Sequence, residues 1–149
     1  MHRAFSVFIL DGQKMLLQQR STTKYHSGGL WTNACCSHPA PGEPIEEAAI
    51  RRCKEELGIA VNPVEVFSFV YRAQLGNLVE YEYDHVFLAN HSGPVSYDNS
   101  EIESVKWMNL QEVRLQVVEN PQLFTTWFFT AFNQLQRFLP KDETIEIAR

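Results

Sequence analysis

The sequence EPIEEAAIRRCKEELGI, residues 43–59, has the spacing of an amphipathic helix. Apolar positions that repeat every three or four residues form one helix face that packs on a core; in this stretch they are Ile45, Ala48, Ala49 and Cys53. Pro44 suits the first turn of a helix, and Gly58 is a typical stop. The stretch therefore predicts a helix from Glu43 to Leu57.

Charged residues on this helix form two pairs at a spacing of one turn. Arg51 and Glu55 make one pair, and Arg52 and Glu56 make the other. One interpretation is two surface ion pairs, each stabilising the helix by about 0.2–0.5 kcal/mol. The other is functional: a carboxylate holds Mg²⁺ while an arginine holds a phosphate oxygen. The sequence pattern alone leaves both interpretations open.

Strand patterns lie on both sides of the helix. Residues 3–10 and 14–19 predict a hairpin with Asp11-Gly12 as its turn. Further strands are predicted at residues 31–36, 64–73, 78–89 and 104–109, and a last helix from Pro121 to about Phe138. The resulting order β-β-β-α-β-β-β-α predicts one α/β domain over residues 1–149, with a mixed β-sheet.

Composition narrows the class of protein. The 149 residues are 44% hydrophobic and 21% charged, as in ordinary globular domains. A net charge of −5 argues against a general nucleic-acid binder, and no apolar run approaches the roughly 18 residues that span a bilayer. Three cysteines, two of them adjacent, suggest a reducing compartment, so we expect a cytoplasmic protein. An anionic ligand would need positive charge concentrated locally.

The sequence WTNACCSHP, residues 31–39, places a histidine near adjacent cysteines. In an extended strand alternate side chains share a face, so Cys36 and His38 would point together and Cys35 away. Both cysteines would suit a core as small hydrophobic residues. A zinc site has weaker support because there is no C-x-x-C pair. A reactive thiol beside a metal is the third interpretation.

The sequence LVEYEYDHVF, residues 78–87, alternates between two chemistries. Glu80, Glu82 and Asp84 share one face, with Leu78, and Val79, Tyr81, Tyr83 and His85 share the other. Carboxylates in the middle of a strand often mark a solvent-exposed face. Alternatively, Glu80 and Glu82 converge on a metal, since two carboxylates with imidazoles suit Mn, Mg or Zn.

These residues together resemble a known sequence family. The helix is similar to the Nudix motif, G-x5-E-x7-R-E-U-x-E-E-x-G-U, where U is a bulky aliphatic residue. Aligned on Gly58, the matching positions are Glu43, Arg51, Glu55, Glu56 and Ile59. The sequence departs from the motif at Ser37, at Cys53 and at Arg52, where glutamate is expected. The glutamate replaced by Arg52 belongs to the metal-binding part of the motif, which argues against ordinary Nudix hydrolysis.

The departures resemble one branch, the type 1 isopentenyl diphosphate isomerases. The resemblance covers nearly the whole chain and rests on HRAFSVFI, Leu16 to Arg20 with Lys24, GLWTNACCSHP, YRA, VEYEYDHVF and TTWFF. It implies a Nudix-like α/β/α sandwich. It also implies interconversion of isopentenyl and dimethylallyl diphosphate, a step in isoprenoid biosynthesis.

The same resemblance implies roles for individual residues. Cys36 would be the catalytic base and Glu82 the acid on the opposite face of the substrate, assisted by Tyr71. The divalent metal, Mn²⁺, Zn²⁺ or Mg²⁺, would be bound by His2, His38, Glu80 and Glu82. The diphosphate would be held by Arg20, Lys24 and Arg52, with Glu56 and the backbone at Cys36 holding a second ion, Mg²⁺. Trp127 would face the developing cation.

The implied chemistry explains why such groups are needed. The terminal methylene is protonated and a proton is then lost from the allylic carbon, with a tertiary carbocation or something close to it between. A metal-bound, buried glutamate can present a positioned acid, and a thiol is a small base. An aromatic face stabilises a cation without reacting with it. For Trp127 the alternative is core packing within an aromatic-rich helix.

The sequence is also compatible with two other functions. One is a Nudix phosphohydrolase acting on a nucleoside diphosphate derivative; another is an inactive paralogue that binds a diphosphate. The isomerase family usually has a further metal-binding histidine before His2, so we expect either a missing N-terminal segment or an incomplete metal site. The expected assembly is a monomer or weak dimer. His26, His85 and His91 receive no family role, and His85 is interpreted as structural.

Overall fold

A computed structural model describes residues 1–24 and 26–141. Within these residues the chain forms seven strands: β1 (His2–Asp11), β2 (Lys14–Arg20), β3 (Trp31–Thr32), β4 (Cys35–Ser37), β5 (Val64–Leu75), β6 (Leu78–Asn90) and β7 (Ile102–Asn109). The α-helices are α1 (Ile45–Leu57), α2 (Leu110–Glu119) and α3 (Thr126–Leu135), with 3₁₀ turns at Pro121–Leu123 and Gln136–Phe138. None of the helices described is both long and apolar enough to span a membrane.

The strands form one mixed sheet around β1. The order along the sheet is β3-β2-β1-β6-β5, with β4 paired to β1 and β7 to β2. Strand β1 runs parallel to β6 and antiparallel to β2 and β4. Residues 4–10 of β1 are all buried, as expected for a central strand that is covered on both faces.

Alternate residues of β1 contribute to two separate cores. Phe5, Val7 and Ile9 pack in a cluster with residues of α1. Phe8 and Leu10 pack on the opposite side, in a cluster that includes residues of α2 and α3. Because helices cover both faces of a mixed sheet, the predicted α/β/α sandwich is confirmed.

Helix α1 agrees closely with its sequence pattern. It begins at Ile45 rather than Glu43, because Pro44 is still extended with ψ at 139°. It ends at Leu57, as predicted, and Gly58 adopts the left-handed conformation with φ at 66°. In that conformation the Gly58 N–H reaches the carbonyl oxygens of Cys53 and Lys54, which would otherwise lack partners at the helix end.

The C-terminal third differs from the prediction. Helix α2 is absent from the predicted order; its buried stripe is short, with Leu110 and Val113, and its first turn is capped by the Asn109 side chain. The predicted helix from Pro121 to Phe138 is wrong as one element. A 3₁₀ turn ends before Phe124, which is extended, and α3 then begins at Thr126.

The predicted strand over residues 31–36 is also interrupted. Asn33 lies between β3 and β4, and its side-chain amide donates to the carbonyl oxygens of Val7 and Cys35, both at 3.0 Å. Side-chain bonds of this kind compete with the ladder of a regular strand. The bend separates β3, which pairs with β2, from β4, which pairs with β1.

Candidate active site

A cavity of about 210 Å³ opens where β1, β4, β6, α1 and α3 meet. Most residues singled out from the sequence line it: Arg20, Lys24, Cys36, His38, Arg52, Glu56, Tyr71, Glu80, Glu82 and Trp127. His2 is exposed at the start of β1, with its ring centroid 6.4 Å from that of His38. The fold thus brings the candidates together, while their individual roles stay predictions.

Strand β1 separates the two proposed catalytic groups. Cys36 on β4 lies opposite Ser6 of β1, and Glu82 on β6 lies opposite His2. Since β4 and β6 occupy different edges of β1, the thiol and the carboxylate reach the cavity from two sides.

The cysteine pair splits as the alternation predicts. Cys36 and His38 line the cavity, whereas Cys35 is fully buried in the cluster beneath α1. The Cys36 thiol donates to Oδ1 of Asn33 at 3.1 Å. Burial raises the pKa of Cys36 to about 12, and the negative charge of Asp84 acts in the same direction. In this arrangement Cys36 is therefore a neutral thiol at neutral pH.

The two glutamates of β6 point into the cavity rather than into solvent. Only 22% of the Glu80 side chain and 16% of the Glu82 side chain are exposed, so the solvent-face interpretation is wrong. Glu82 Oε1 lies 2.8 Å from His38 Nε2, and Glu80 Oε1 lies 2.8 Å from Nε2 of His26. Each carboxylate is thus paired with a different imidazole.

The carboxylates also interact with each other. Burial raises the pKa of Glu80 to about 7, and the hydrogen bond with Glu82 and that group's charge add to the shift. For Glu82, burial acts upward, but hydrogen bonds with His38 and Glu80 outweigh it and lower the pKa. Two carboxylates this close favour sharing one proton instead of both being ionised. The pair therefore retains a proton close to neutral pH.

The donor groups in this part of the cavity are of the kind that bind a divalent cation. Within residues 1–24 and 26–141, no three His, Cys, Asp or Glu side chains already surround one point as ligands. The donors are nevertheless of the right kind, because the Glu80–Glu82 pair needs a positive charge or a proton between its oxygens, and the His38 imidazole touches it. Carboxylate and imidazole donors suit Mn²⁺, Mg²⁺ and Zn²⁺.

Two arginines of α1 have different surroundings. Arg51 is a surface residue that bridges Glu43, through two contacts of 2.9 Å, and Glu55 at 3.0 Å. Arg52 lines the cavity and contacts the buried carboxylate of Glu56 at 2.8 Å. The surface ion-pair interpretation thus describes Arg51, while Arg52 lies where a ligand in the cavity can reach it.

The remaining cations of the cavity are also engaged. Lys24 Nζ pairs with the carboxylate of Glu101, a residue that sequence reasoning did not identify. The Arg20 guanidinium lies over the Trp127 ring, 5.2 Å from its centroid. Arg20, Lys24 and Arg52 together supply the local positive charge that an anionic ligand requires in a chain of net charge −5.

The two aromatic candidates are neighbours. Trp127 is 8% exposed and meets Tyr71 edge to face, with ring centroids 6.5 Å apart. Trp127 therefore both packs in the core and lines the cavity. Tyr71 lies opposite Glu82 across the β5–β6 ladder, but its hydroxyl is hydrogen-bonded to Thr126. In this structure Tyr71 accordingly holds α3 instead of bonding to Glu82.

Several cavity residues had no role in the sequence interpretation. His26, in the loop before β3, contacts Glu80, and burial followed by the charge of Arg20 lowers its pKa. Asp84 accepts a hydrogen bond from Ser6 Oγ at 2.9 Å, and burial raises the Asp84 pKa to about 7. The β6 alternation already placed Asp84 on this face, but no periodic pattern marks a loop residue such as His26.

Known proteins provide an independent comparison. The NUDIX domain family matches residues 1–128. Isopentenyl-diphosphate Delta-isomerase 2 of Photorhabdus laumondii subsp. laumondii is 46% identical over 137 residues, covering 91% of this chain and 77% of that protein. Isopentenyl-diphosphate Delta-isomerase of Serratia proteamaculans is 44% identical, covering 91% and 76%. The chain belongs to the isopentenyl-diphosphate Delta-isomerase family.

Family membership confirms the resemblance found in the sequence, and it implies dependence on a divalent metal without specifying the ion. Solved structures agree at the level of the fold. A MutT NUDIX hydrolase from Burkholderia pseudomallei superposes with a TM-score of 0.73 at 23% identity, covering 90% of this chain and 97% of that one. A MutT protein from Methanosarcina mazei Go1 gives 0.75 at 19% identity, covering 94% and 96%.

Proposed function

We propose that this member of the isomerase family interconverts isopentenyl diphosphate and dimethylallyl diphosphate with Glu82 as the acid and Cys36 as the base. The observation that supports these roles is the position of both groups in one cavity, on strands at opposite edges of β1. A flat alkene between them would be protonated from one side and deprotonated from the other. The net reaction moves a double bond by one carbon and consumes no proton.

Glu82 delivers the proton to the terminal methylene of the substrate. Glu80, whose pKa is raised to about 7, supports this role by holding a proton next to Glu82, whose own pKa is lowered and which would receive that proton before passing it to the substrate. The His38 imidazole, 2.8 Å from Glu82 Oε1, fixes the carboxyl group in position. A positioned carboxylic acid in a partly dry cavity is a better donor than one in water.

Cys36 takes the proton from the allylic carbon as a thiolate, after its own thiol proton has been released to solvent. Its raised pKa means that a thiolate, once formed, is a strong base. The positive charge that develops on the substrate favours the thiolate beside it. Trp127 lines the same cavity and presents an aromatic ring to that charge. Tyr71 supports Trp127 through their edge-to-face contact and stands opposite Glu82 across the ladder.

Cations hold the diphosphate at the other end of the cavity. Arg20, Lys24 and Arg52 would exchange part of their present contacts for phosphate oxygens, as arginine readily does. Glu56 would hold a Mg²⁺ ion on the diphosphate, since its buried carboxylate lies next to Arg52. Binding energy from the diphosphate positions the reacting carbons, which are remote from it.

His2, His38, Glu80 and Glu82 would hold a divalent ion, Mn²⁺, Zn²⁺ or Mg²⁺. When bound, such an ion supplies positive charge that strengthens a coordinated carboxylic acid. The three free cysteines support a reducing, cytoplasmic setting. A monomer or weak dimer and a role in isoprenoid biosynthesis complete the proposal.

Proton NMR of isopentenyl diphosphate in D₂O tests the proposal directly. The chain with Mg²⁺ and Mn²⁺ should produce the dimethylallyl isomer, with deuterium entering its methyl groups. An unchanged spectrum would contradict isomerase activity in this chain. Release of phosphate without isomerisation would instead favour a Nudix-type hydrolase, for which the arginine at position 52 is unsuited.

A further inference from the structure

His26 occupies a position in the cavity wall that no sequence pattern assigned. Only 9% of its side chain is exposed, and its Nε2 lies 2.8 Å from Glu80 Oε1. Its ring meets Trp127 edge to face at 6.1 Å, and its carbonyl oxygen accepts a hydrogen bond from Arg20 at 3.3 Å. The loop therefore holds the imidazole firmly against the carboxylate.

The contact of His26 is equivalent to a contact within the proposed metal site. His38 Nε2 lies 2.8 Å from Glu82 Oε1, the same separation as between His26 and Glu80. Glu80 and Glu82 are two residues apart on β6 and line the same cavity, so the two contacts bring both imidazoles to one pair of carboxylates. The His2 ring lies beside that of His38, with the ring centroids 6.4 Å apart.

Two carboxylates that each contact an imidazole supply the donors of a transition-metal site. A divalent cation held by Glu80 and Glu82 would have these imidazoles as further nitrogen donors. His26 lines the same cavity as both carboxylates. His38 lines this cavity as well.

We propose that His26 is a fifth protein ligand of the divalent metal, contributing Nε2 beside His2, His38, Glu80 and Glu82. This assignment rests on the metal site of the proposed function. The loop that contains His26 would then belong to the metal site, and the same loop accepts a hydrogen bond from Arg20 at the His26 carbonyl oxygen. A weaker role, in which His26 only orients Glu80 by a hydrogen bond, predicts no metal–nitrogen bond and is distinguished by the test.

The chain contains a matched control for this histidine. His85 Nδ1 lies 2.8 Å from Glu65 Oε2 on the face of β6 opposite the cavity, and its ring stacks on Tyr83. The ion pair thus has the same chemistry and length as the His26–Glu80 pair. It lies away from Glu80 and Glu82, because neighbouring residues of a strand point to opposite faces.

Mn²⁺ binding measured by electron paramagnetic resonance tests the proposal. Pulsed spectra of the wild-type chain should show nitrogen couplings from three imidazoles, and His26→Ala should lose one set. The Mn²⁺ dissociation constant should rise about 10-fold or more in His26→Ala, while His85→Ala should match the wild type in both readouts. Circular dichroism establishes that each variant is folded; His26→Asn replaces His26→Ala if the latter is not.

The outcomes separate the two proposals. A folded His26 variant that retains every nitrogen coupling overturns the ligand assignment, even if affinity falls, and leaves the other four ligands standing. A wild-type chain that binds no Mn²⁺, Zn²⁺ or Mg²⁺ overturns the metal site of the proposed function and this inference with it.

Discussion

Two histidine–glutamate pairs on strand β6 have the same contact distance and different settings. Glu82 meets His38 at 2.8 Å inside the cavity, and His85 meets Glu65 at 2.8 Å on the opposite face of the strand. Glu82 also faces Glu80, whose pKa is about 7, whereas the Glu65 side chain is 39% exposed. The difference shows that burial and a neighbouring carboxylate, and not the contact distance, set the protonation behaviour of a histidine–glutamate pair.

Two arginines of helix α1 show the same contrast between a cavity setting and a surface setting. Arg52 contacts a nearly buried glutamate at the cavity, and Arg51 contacts Glu43 and Glu55 at the surface. The two arginines are adjacent in sequence, so a rotation of about 100° around the helix separates a ligand-facing residue from a surface one. Matched substitutions on the two sides can therefore test the contrast.

The largest effect is expected at Glu82. Glu82→Gln keeps the side chain's shape but removes the transferable proton and one carboxylate of the metal site. We expect turnover to fall about 10⁴-fold. Proton NMR measures turnover as the rate at which dimethylallyl diphosphate appears. Glu65→Gln disrupts the pair with His85 and should leave turnover unchanged. Equal losses in the two variants would contradict the contrast.

The cysteines of β4 provide the next test. Cys36→Ala removes the proposed base and should lower turnover about 10³-fold, with an unchanged melting temperature. Cys35→Ala leaves a small void in the core beneath α1 and should cost about 1 kcal/mol of unfolding free energy, with activity retained. A loss of turnover in Cys35→Ala as deep as that in Cys36→Ala would mean that the wrong thiol was assigned.

Arginine substitutions on α1 should change binding. Arg52→Gln removes a charged donor from the cavity and should raise the dissociation constant for isopentenyl diphosphate about 10- to 100-fold, since such hydrogen bonds contribute about 1.5–3 kcal/mol. Calorimetry with Mg²⁺ measures it. Arg51→Gln is the matched control and should bind normally; weakened binding in both variants would indicate damage to the helix.

The smallest effect concerns the surface pair of Glu43 and Arg51. Hydrogen bonds from the Arg51 side chain lower the pKa of Glu43 from 4.5 to about 2. A lowered pKa means that the ionised form stabilises the fold above pH 4.5, and that this contribution is lost as the pH falls toward 2. Wild type should therefore melt slightly above Glu43→Gln at pH 7, and the gap should close between pH 4.5 and 2. A gap that stays constant over this range would contradict the pair's contribution.

Local patterns predicted much of the fold and several placements within the site. The alternation in residues 78–87 placed Glu80, Glu82 and Asp84 on one face, and the structure agrees. The same reasoning separated Cys36 from Cys35. Patterns failed where periodicity is short or broken, as in α2 and in the bend at Asn33. There, a cap or a side-chain hydrogen bond decides the conformation.

By itself, the sequence determined which residues share a face of a strand or helix, and through its motifs it determined the isomerase family. Only the tertiary structure decided that His26 meets Glu80, that Glu101 pairs with Lys24, and that burial raises the pKa of Cys36. The physical reason is that side-chain direction follows from backbone period. Burial and the neighbouring charges that set a pKa come from segments far apart in the chain.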